Sequence, residues 1–325
     1  MESSAMQTDV PYVAVFMVTY NHERYIGQAI EGVLMQRTDF KVRLYIGEDC
    51  SADNTRNICR DYERKYPDAI TLICTAQNNL FENVANIWKA TLNSGAKYIA
   101  MCEGDDYWTD PYKLQKQVGF LDANPDFTIC FSNVAIEDEL GLGREDDAYF
   151  PALSKEVYTI EDFILSGMNI IPTPTMLFRN ILPYPLPDYY VDAKVGDMGL
   201  QILLADKGKA KLFVEKMAVY RNHSGGITKS KEKLWKGEDG LMKFYKKYNE
   251  VTGYKYNAIF RKRFLMHAQV RLIFGATGKK GLARIRHYFE KMPPYIKYSD
   301  KINLKELVYY HLILISPSFF KKKQP

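Results

Sequence analysis

Three carboxylates stand within four positions at Glu103-Gly104-Asp105-Asp106, directly after the apolar run Tyr98-Ile99-Ala100-Met101. An apolar run that stops at acids reads as a buried strand carrying charge to the rim of a sheet. In open α/β sheets, ligands bind at the carboxyl ends of strands. Hard oxygen ligands gathered there suit Mg²⁺ or Mn²⁺, ions that commonly share their shell with phosphate oxygens. The same residues fit an acidic start to the helix beginning near Asp110-Pro111, because helix starts collect acids and proline. Taken alone, the cluster leaves both readings open.

The preceding chain decides between them. Tyr12-Val13-Ala14-Val15-Phe16-Met17-Val18 is a continuous apolar run of the kind found in central parallel strands. Ile26, Ala29, Ile30, Val33 and Leu34 then recur with helical period. Leu44-Tyr45-Ile46 predicts a second strand, followed by a helix capped by Asp53 or Ser51 and stopped by Pro67. Ile70–Cys74 predicts a third strand, Asn83–Leu92 a helix, and Tyr98–Met101 the fourth strand. This alternation implies a parallel sheet with helices on both faces. Thr19-Tyr20-Asn21, Glu48-Asp49-Cys50-Ser51 and Glu103–Asp106 terminate the first, second and fourth strands. Right-handed crossovers bring those ends to one edge. Each has a local alternative as a turn or cap, but three together favour a nucleotide site.

Composition sets the frame. Among 325 residues, 46% are hydrophobic and 26% charged, which describes a globular protein with ample core material. The length suggests one large domain with an appendage, or two domains. Five cysteines without a CxxC pair argue against a disulfide framework or zinc site. No apolar run is long enough to span a bilayer and no signal pattern opens the chain, so a cytoplasmic protein is expected. The net charge of +5 hides an asymmetry: residues 241–325 hold 19 Lys+Arg against 4 Asp+Glu, and the rest 25 against 35. In the basic region Lys243, Lys246, Lys247, Lys255, Arg261, Lys262, Arg263 and Arg271 interleave with aromatic residues. Leu307–Ile315 leads into Phe319-Phe320-Lys321-Lys322-Lys323. The pattern fits amphipathic helices lying on an anionic membrane surface, or a helical subdomain packed on the body. No nucleic-acid-binding motif accompanies the charge.

Several motifs, in order, make residues 12–228 resemble the family 2 glycosyltransferases, inverting enzymes with the GT-A fold. Val18-Thr19-Tyr20-Asn21 is similar to their V-x-Y-N strand end. Glu48-Asp49-Cys50-Ser51-Ala52-Asp53-Asn54-Thr55 is similar to D-D-G-S-x-D-x-T. Glu103-Gly104-Asp105-Asp106-Tyr107-Trp108, with Pro111, Lys113 and Leu114, resembles D-A-D-D-x-W-x-P-x-K-L. Gly196-Asp197 followed by Leu200 sits where the family carries its catalytic acidic residue, and Tyr220-Arg221-Asn222-His223-Ser224-Gly225-Gly226 resembles Y-R-x-H-x-G-G. Two departures stand out: Glu103 replaces an aspartate, and Gln77-Asn78-Asn79-Leu80 through Ala85-Asn86 lacks the arginine of N-x-G…A-R-N.

The resemblance implies a GT-A domain over 12–229, a short tail at 1–11, and a helical basic region over 230–325. It implies transfer of a sugar from a nucleoside-diphosphate donor to an acceptor hydroxyl, with a lipid-linked saccharide in cell-surface polysaccharide synthesis as the expected acceptor and a protein peripheral on the inner face of the plasma membrane. Thr19 and Tyr20 would hold the base and Asp49 would accept from it, with Asn21 and Asn78 in the same nucleotide-binding group. Asp105 would contact the ribose. Asp106 would ligate a divalent metal, Mn²⁺ or Mg²⁺, with Glu103 and His223 as further ligands. The ribose and metal roles are interchangeable among Glu103, Asp105 and Asp106 at this level. Arg221 would offset charge on the leaving group, and Tyr107 and Trp108 would wall the site.

A hydroxyl needs a positioned base at neutral pH. Asp197, at the start of a helix expected over Asp197–Leu204, is the candidate, with Asp188 and Asp192 as substitutes and a plain helix cap as its local alternative. The proline-rich stretch Ile171–Tyr190 is expected to line the acceptor cleft. Two other classes stand against transfer: a non-catalytic nucleotide-sugar-binding homologue, and a nucleotidyltransferase. The latter typically opens on a glycine-rich phosphate loop, whereas the first strand here runs into Thr19-Tyr20-Asn21.

Overall fold

The structure, a computed structural model, describes residues 10–139, 155–166, 169–192, 196–225 and 231–263. Its first half alternates β1 (Val13–Thr19), α1 (Ile26–Leu34), β2 (Val42–Glu48), α2 (Thr55–Lys65), β3 (Ile70–Cys74), α3 (Leu80–Leu92) and β4 (Tyr98–Met101). There follow β5 (Tyr107–Trp108), α4 (Lys113–Ala123), β6 (Phe127–Asp138), β7 (Val157–Tyr158), α5 (Ile160–Ser166), a 3-10 turn (Thr173–Thr175), β8 (Leu177–Arg179), α6 (Asp188–Val191), α7 (Gly196–Ala205), β9 (Lys209–Asn222) and α8 (Lys231–Val251).

The strands form one mixed sheet in the order β3-β2-β1-β4-β8-β6-β9-β5, with β7 added to β9. The first four are parallel, so Thr19, Glu48, Cys74 and Met101 end at one edge, as expected. Strand β1 is buried on both faces, which is why its run is unbroken by polar residues. Val13, Val15 and Met17 pack with Ile26, Ile30 and Val33 of α1, Cys59 of α2 and Leu114, Val118 and Leu121 of α4. From the other face of β1, Phe16 meets Trp88 of α3 with ring centres 4.5 Å apart. Helices therefore cover both faces.

Beyond β4 the directions mix. Strand β8 runs antiparallel to both β4 and β6, β6 and β9 are parallel, and β5 is antiparallel to β9. The pairing of Tyr107 with Val219 and Trp108 with Ala218 matters most. It seats the end of β9, and so Arg221–His223, beside the acidic loop.

Some boundaries shift. Helix α3 begins three residues earlier than expected because Asn79 caps it, its side chain accepting from Glu82 N at 3.3 Å. Helix α2 has Asn54 at its N-cap; Asp53 accepts from Thr55 N at 3.0 Å, and Ser51 serves Asn21 N instead. The proline-rich stretch is not one loop. Residues Ile171–Phe178 are buried as the 3-10 turn and β8, while Pro183 and Pro185 are exposed.

The chain divides into two compact units, Met1–Phe244 and Tyr245–Pro325. Within the second, Tyr245, Tyr248, Tyr256 and Phe260 are buried, with Tyr248 and Tyr256 stacked at 6.3 Å. Lys246, Lys247 and Lys255 are exposed. Arg271 and the segments Leu307–Ile315 and Phe319–Lys323 lie outside the described residues. Among the described residues no helix is long and apolar enough to cross a membrane.

Candidate active site

Two groups of polar residues meet at the carboxyl edge of the sheet. The first surrounds Asp49, which is 2% exposed. Its Oδ1 accepts from the Thr75 hydroxyl at 3.0 Å and from Asn79 N at 2.8 Å, and its Oδ2 accepts from Asn78 Nδ2 at 3.0 Å. Asn78 and Asn79, the segment that matches its motif loosely, thus fix the orientation of Asp49. Glu48 behind it is fully buried, paired with Arg56, and accepts from Ser51 N at 2.7 Å.

Asn21 joins the ends of β1 and β2. It adopts a positive φ of 54°, its N–H donates to Ser51 Oγ at 3.0 Å, and its Oδ1 accepts from Ala52 N at 2.9 Å. Asparagine tolerates the left-handed region better than most residues, and here its side chain is spent on the loop. Tyr20 is exposed. Thr19 is buried and within 3.2 Å of His22 Nδ1.

The second group is the acidic loop. A Cβ on Gly104 would lie 2.6 Å from Thr19 Oγ1 and 2.7 Å from Thr19 Cβ, so only glycine lets this loop rest on the end of β1. Gly104 N also donates to Val18 O at 3.0 Å. Asp106 is 1% exposed; Oδ1 accepts from Arg221 N at 2.9 Å, and Oδ2 is buried without a hydrogen-bond partner. An orphaned carboxylate oxygen is costly unless something absent from the protein occupies it. Oxygens of Glu103, Asp105 and Asp106 lie within 4.8 Å of one another. Oxygen-only donors at that spacing fit a hard divalent cation.

Protonation follows the surroundings. Burial, then the Asp105 charge, pushes Asp106 well above the usual carboxylate range, against the Arg221 N–H and charge. Burial also pushes Glu103 well up, helped by the charges of Asp197, Asp105 and Asp106. For Asp105 burial acts upward, but the His223 hydrogen bond and the charges of His22 and His223 outweigh it and hold the carboxyl below its ordinary value. A crowded set of acids with one member kept ionised is ready to exchange protons for a cation.

His22 is a site residue that motif reading missed. Its Nε2 lies 3.7 Å from Asp105 Oδ2, on the same oxygen that His223 Nε2 reaches at 3.0 Å. Gly225 N donates to His223 Nδ1 at 3.3 Å, so in the neutral ring the proton sits on Nε2 and faces Asp105. His223 was expected as a metal ligand; the same Nε2 is engaged by Asp105. Arg221 is likewise occupied. It donates to Asp105 O at 2.8 Å and Glu137 Oε2 at 3.2 Å, pairs with Gln28, and stacks over Tyr107 at 4.4 Å and Tyr25 at 5.0 Å. It buttresses the acidic loop from below.

Asp197 lies in the first turn of α7, and Oδ2 accepts from the Thr173 hydroxyl at 2.7 Å. Burial raises its pKa, against that hydrogen bond. Its charge reaches Glu103, whereas Asp188 and Asp192 are exposed to solvent. Trp108 is buried and Tyr107 half-buried, consistent with packing roles.

The model of the family described as glycosyl transferase family 2 matches residues 14–182. An uncharacterized protein of Mycobacterium tuberculosis is 35% identical over 228 residues, covering 69% of this chain and 63% of its own length; less than two thirds of that relative is therefore matched. A putative teichuronic acid biosynthesis glycosyltransferase of Bacillus subtilis, TuaG, is 32% identical over 111 residues, or 34% of this chain and 42% of that protein. Among solved structures, S. aureus TarS 1-349 in complex with UDP-GlcNAc superposes with a TM-score of 0.50 at 13% identity, covering 94% of this chain and 90% of that one. At that identity the likeness speaks for the fold.

Proposed function

The chain belongs to glycosyl transferase family 2, and from that premise we propose that it moves a sugar from a nucleoside-diphosphate donor to an acceptor hydroxyl, with inversion at the anomeric carbon. The observation that carries this reading is the partnerless buried oxygen of Asp106 beside Glu103 and Asp105, with Asp197 near enough for its charge to raise the Glu103 pKa. Structural capping alone does not account for a carboxylate with one buried oxygen left without a partner.

The donor lies across the strand ends. Thr19, Tyr20 and Asp49 receive the base, with Asn78 holding Asp49 and Asn21 holding the loop. Asp105, fixed by His223 and His22, takes the ribose. Asp106 and Glu103 would hold a divalent cation, Mn²⁺ or Mg²⁺, and His223 would be available to it only without its bond to Asp105. When bound, such a cation neutralises charge on the departing diphosphate. Asp197 removes the proton as the acceptor oxygen bonds to the anomeric carbon, on the face opposite the diphosphate. The bond to the diphosphate oxygen breaks and its electron pair leaves with that oxygen. A carboxylate with a raised pKa is a stronger base for this step than an ordinary one.

The acceptor we propose is a saccharide, lipid-linked in cell-surface polysaccharide assembly; the teichuronic acid name carried by the B. subtilis relative supports that class. The domain over 12–229 performs the transfer, and the basic region over 230–325 makes a peripheral membrane contact, in keeping with its excess of Lys and Arg.

The test is binding and slow hydrolysis of UDP-, GDP- and dTDP-sugars, with and without Mn²⁺, by wild type and Asp106→Ala. Metal-dependent binding of one donor, lost in the variant, is expected. Binding of none would leave a protein that has lost turnover.

A further inference from the structure

Behind the acidic loop lies a buried polar cluster that takes no part in the reaction just described. Lys113, the first residue of α4, is fully buried. Its ammonium sits 4.3 Å from the centre of the Trp108 ring and donates to Gln117 Oε1 at 2.9 Å. Burial pushes the Lys113 pKa down to about 7. An apolar side chain at this position would avoid that penalty, so the lysine calls for a reason.

The reason lies in what its partners hold. As an ammonium Lys113 only donates, so the Gln117 amide then turns its oxygen towards Lys113 and its NH₂ away. That NH₂ donates to Thr175 O at 2.9 Å. The Trp108 indole, also a donor only, gives its N–H to Pro174 O at 2.6 Å. Two donors from different elements therefore catch successive carbonyls of the 3-10 turn. The Thr175 hydroxyl closes the turn on Pro172 O at 2.7 Å, and Met101 N of β4 donates to Met176 O at 3.0 Å just beyond it. The turn has one remaining polar side chain, Thr173, and its hydroxyl is the donor to Asp197 Oδ2.

We propose that Lys113, Gln117 and Trp108 are positioning residues for the general base: they clamp the Thr173–Thr175 turn, and the turn aims Asp197 at the reacting centre. The inference rests on the reading of Asp197 as that base.

The experiment compares full-length wild type, Lys113→Met, Trp108→Phe and Asp197→Asn. Lys113→Met keeps the chain length and removes the lock on the Gln117 amide, and Trp108→Phe keeps a ring and removes the N–H to Pro174. For hydrolysis of whichever of the UDP-, GDP- and dTDP-sugars the wild type turns over, both are expected to leave the donor KM unchanged and to lower kcat about tenfold or more, as small misplacements of catalytic groups do. Hydrogen exchange is expected to quicken in the segment containing Met176 and Leu177, with Lys113→Met unfolding in denaturant no earlier than wild type. If Asp197→Asn is inactive while Lys113→Met and Trp108→Phe keep wild-type kcat, this proposal alone fails. If Asp197→Asn turns over like wild type, the base assignment fails and takes the proposal with it. Loss of kcat that follows only a loss of folding stability overturns it too.

Discussion

His223 holds Asp105 through a 3.0 Å contact between Nε2 and Oδ2, across 118 residues of sequence. The contact exists because β9 pairs with β5, the short strand that follows the acidic loop. His22 approaches the same oxygen from the first strand end. A carboxylate addressed from two sides keeps one orientation, and it stays ionised among neighbouring acids.

Removing either imidazole is therefore expected to weaken the donor more than the metal. For His22→Ala and His223→Ala, donor affinity is expected to fall about tenfold, the scale of one hydrogen bond to a charged group. Mn²⁺ binding, followed by electron paramagnetic resonance without donor, is expected to persist in both and to vanish in Asp106→Asn. Loss of Mn²⁺ binding in His223→Ala would make His223 a metal ligand.

Asp197→Asn separates catalysis from stability. Burial raises the Asp197 pKa above its ordinary 3.8, so the folded protein holds that proton more tightly than the unfolded chain. The resulting stabilisation is present at low pH and is lost as pH rises through the raised value. The uncharged variant is expected to be more stable than wild type at neutral pH in urea titrations, yet slower by about 10²–10⁴-fold in transfer. In wild type the acid limb of kcat is expected above the range of an ordinary aspartate, with activity increasing as Asp197 loses its proton.

Gly104→Ala tests the contact between loop and strand end. The added Cβ would lie 2.6 Å from Thr19 Oγ1, and relief of such a clash costs about 1–3 kcal/mol. Thermal unfolding is expected to shift downward, and donor binding to weaken beyond what stability accounts for. A variant as stable and as tight as wild type would show that the loop moves freely.

Lys113 gives a linkage of opposite sign. Its pKa falls from 10.5 to about 7 on folding. Between those values the unfolded chain binds a proton that the folded chain does not, so stability climbs with pH by up to about 1.4 kcal/mol per unit. The difference between wild type and Lys113→Met, measured by urea unfolding at pH 7.5 and 9.5 (about the middle of that window), is expected to narrow at the higher pH. An unchanged difference would mean the lysine is not desolvated.

The sequence made half of this site legible. Unbroken apolar runs such as Val13–Val18 and Tyr98–Met101 announce parallel strands, and the polar residues that end them have little other reason to stand together. Three features were hidden for distinct reasons. His22 directly follows Asn21 in a turn, where no periodicity says which way a side chain faces. Asn78 and Asn79 look like a weakened motif because their role is to grip Asp49, and that grip depends on Thr75 at the end of β3. Arg221 reads as a free cation, but its partners Gln28, Glu137 and Asp105 arrive through tertiary pairing. The mixed half of the sheet was least readable, since β6 and β9 are joined with register shifts at Ser132 and Asn133 and neither keeps a simple alternation.

The seating of Gly104 on Thr19 has a consequence for size. Asp49, Thr19 and the acidic loop follow three adjacent strands, β2, β1 and β4. Neighbouring strands stand about 4.8 Å apart, so the outer two are separated by about 10 Å. With no side chain at residue 104 to wedge the loop outward, that interval is set by backbone hydrogen bonding and by nothing softer. The strand edge then works as a fixed gauge: surrounding loops can drift while the interval between Asp49 and the acidic loop stays the same.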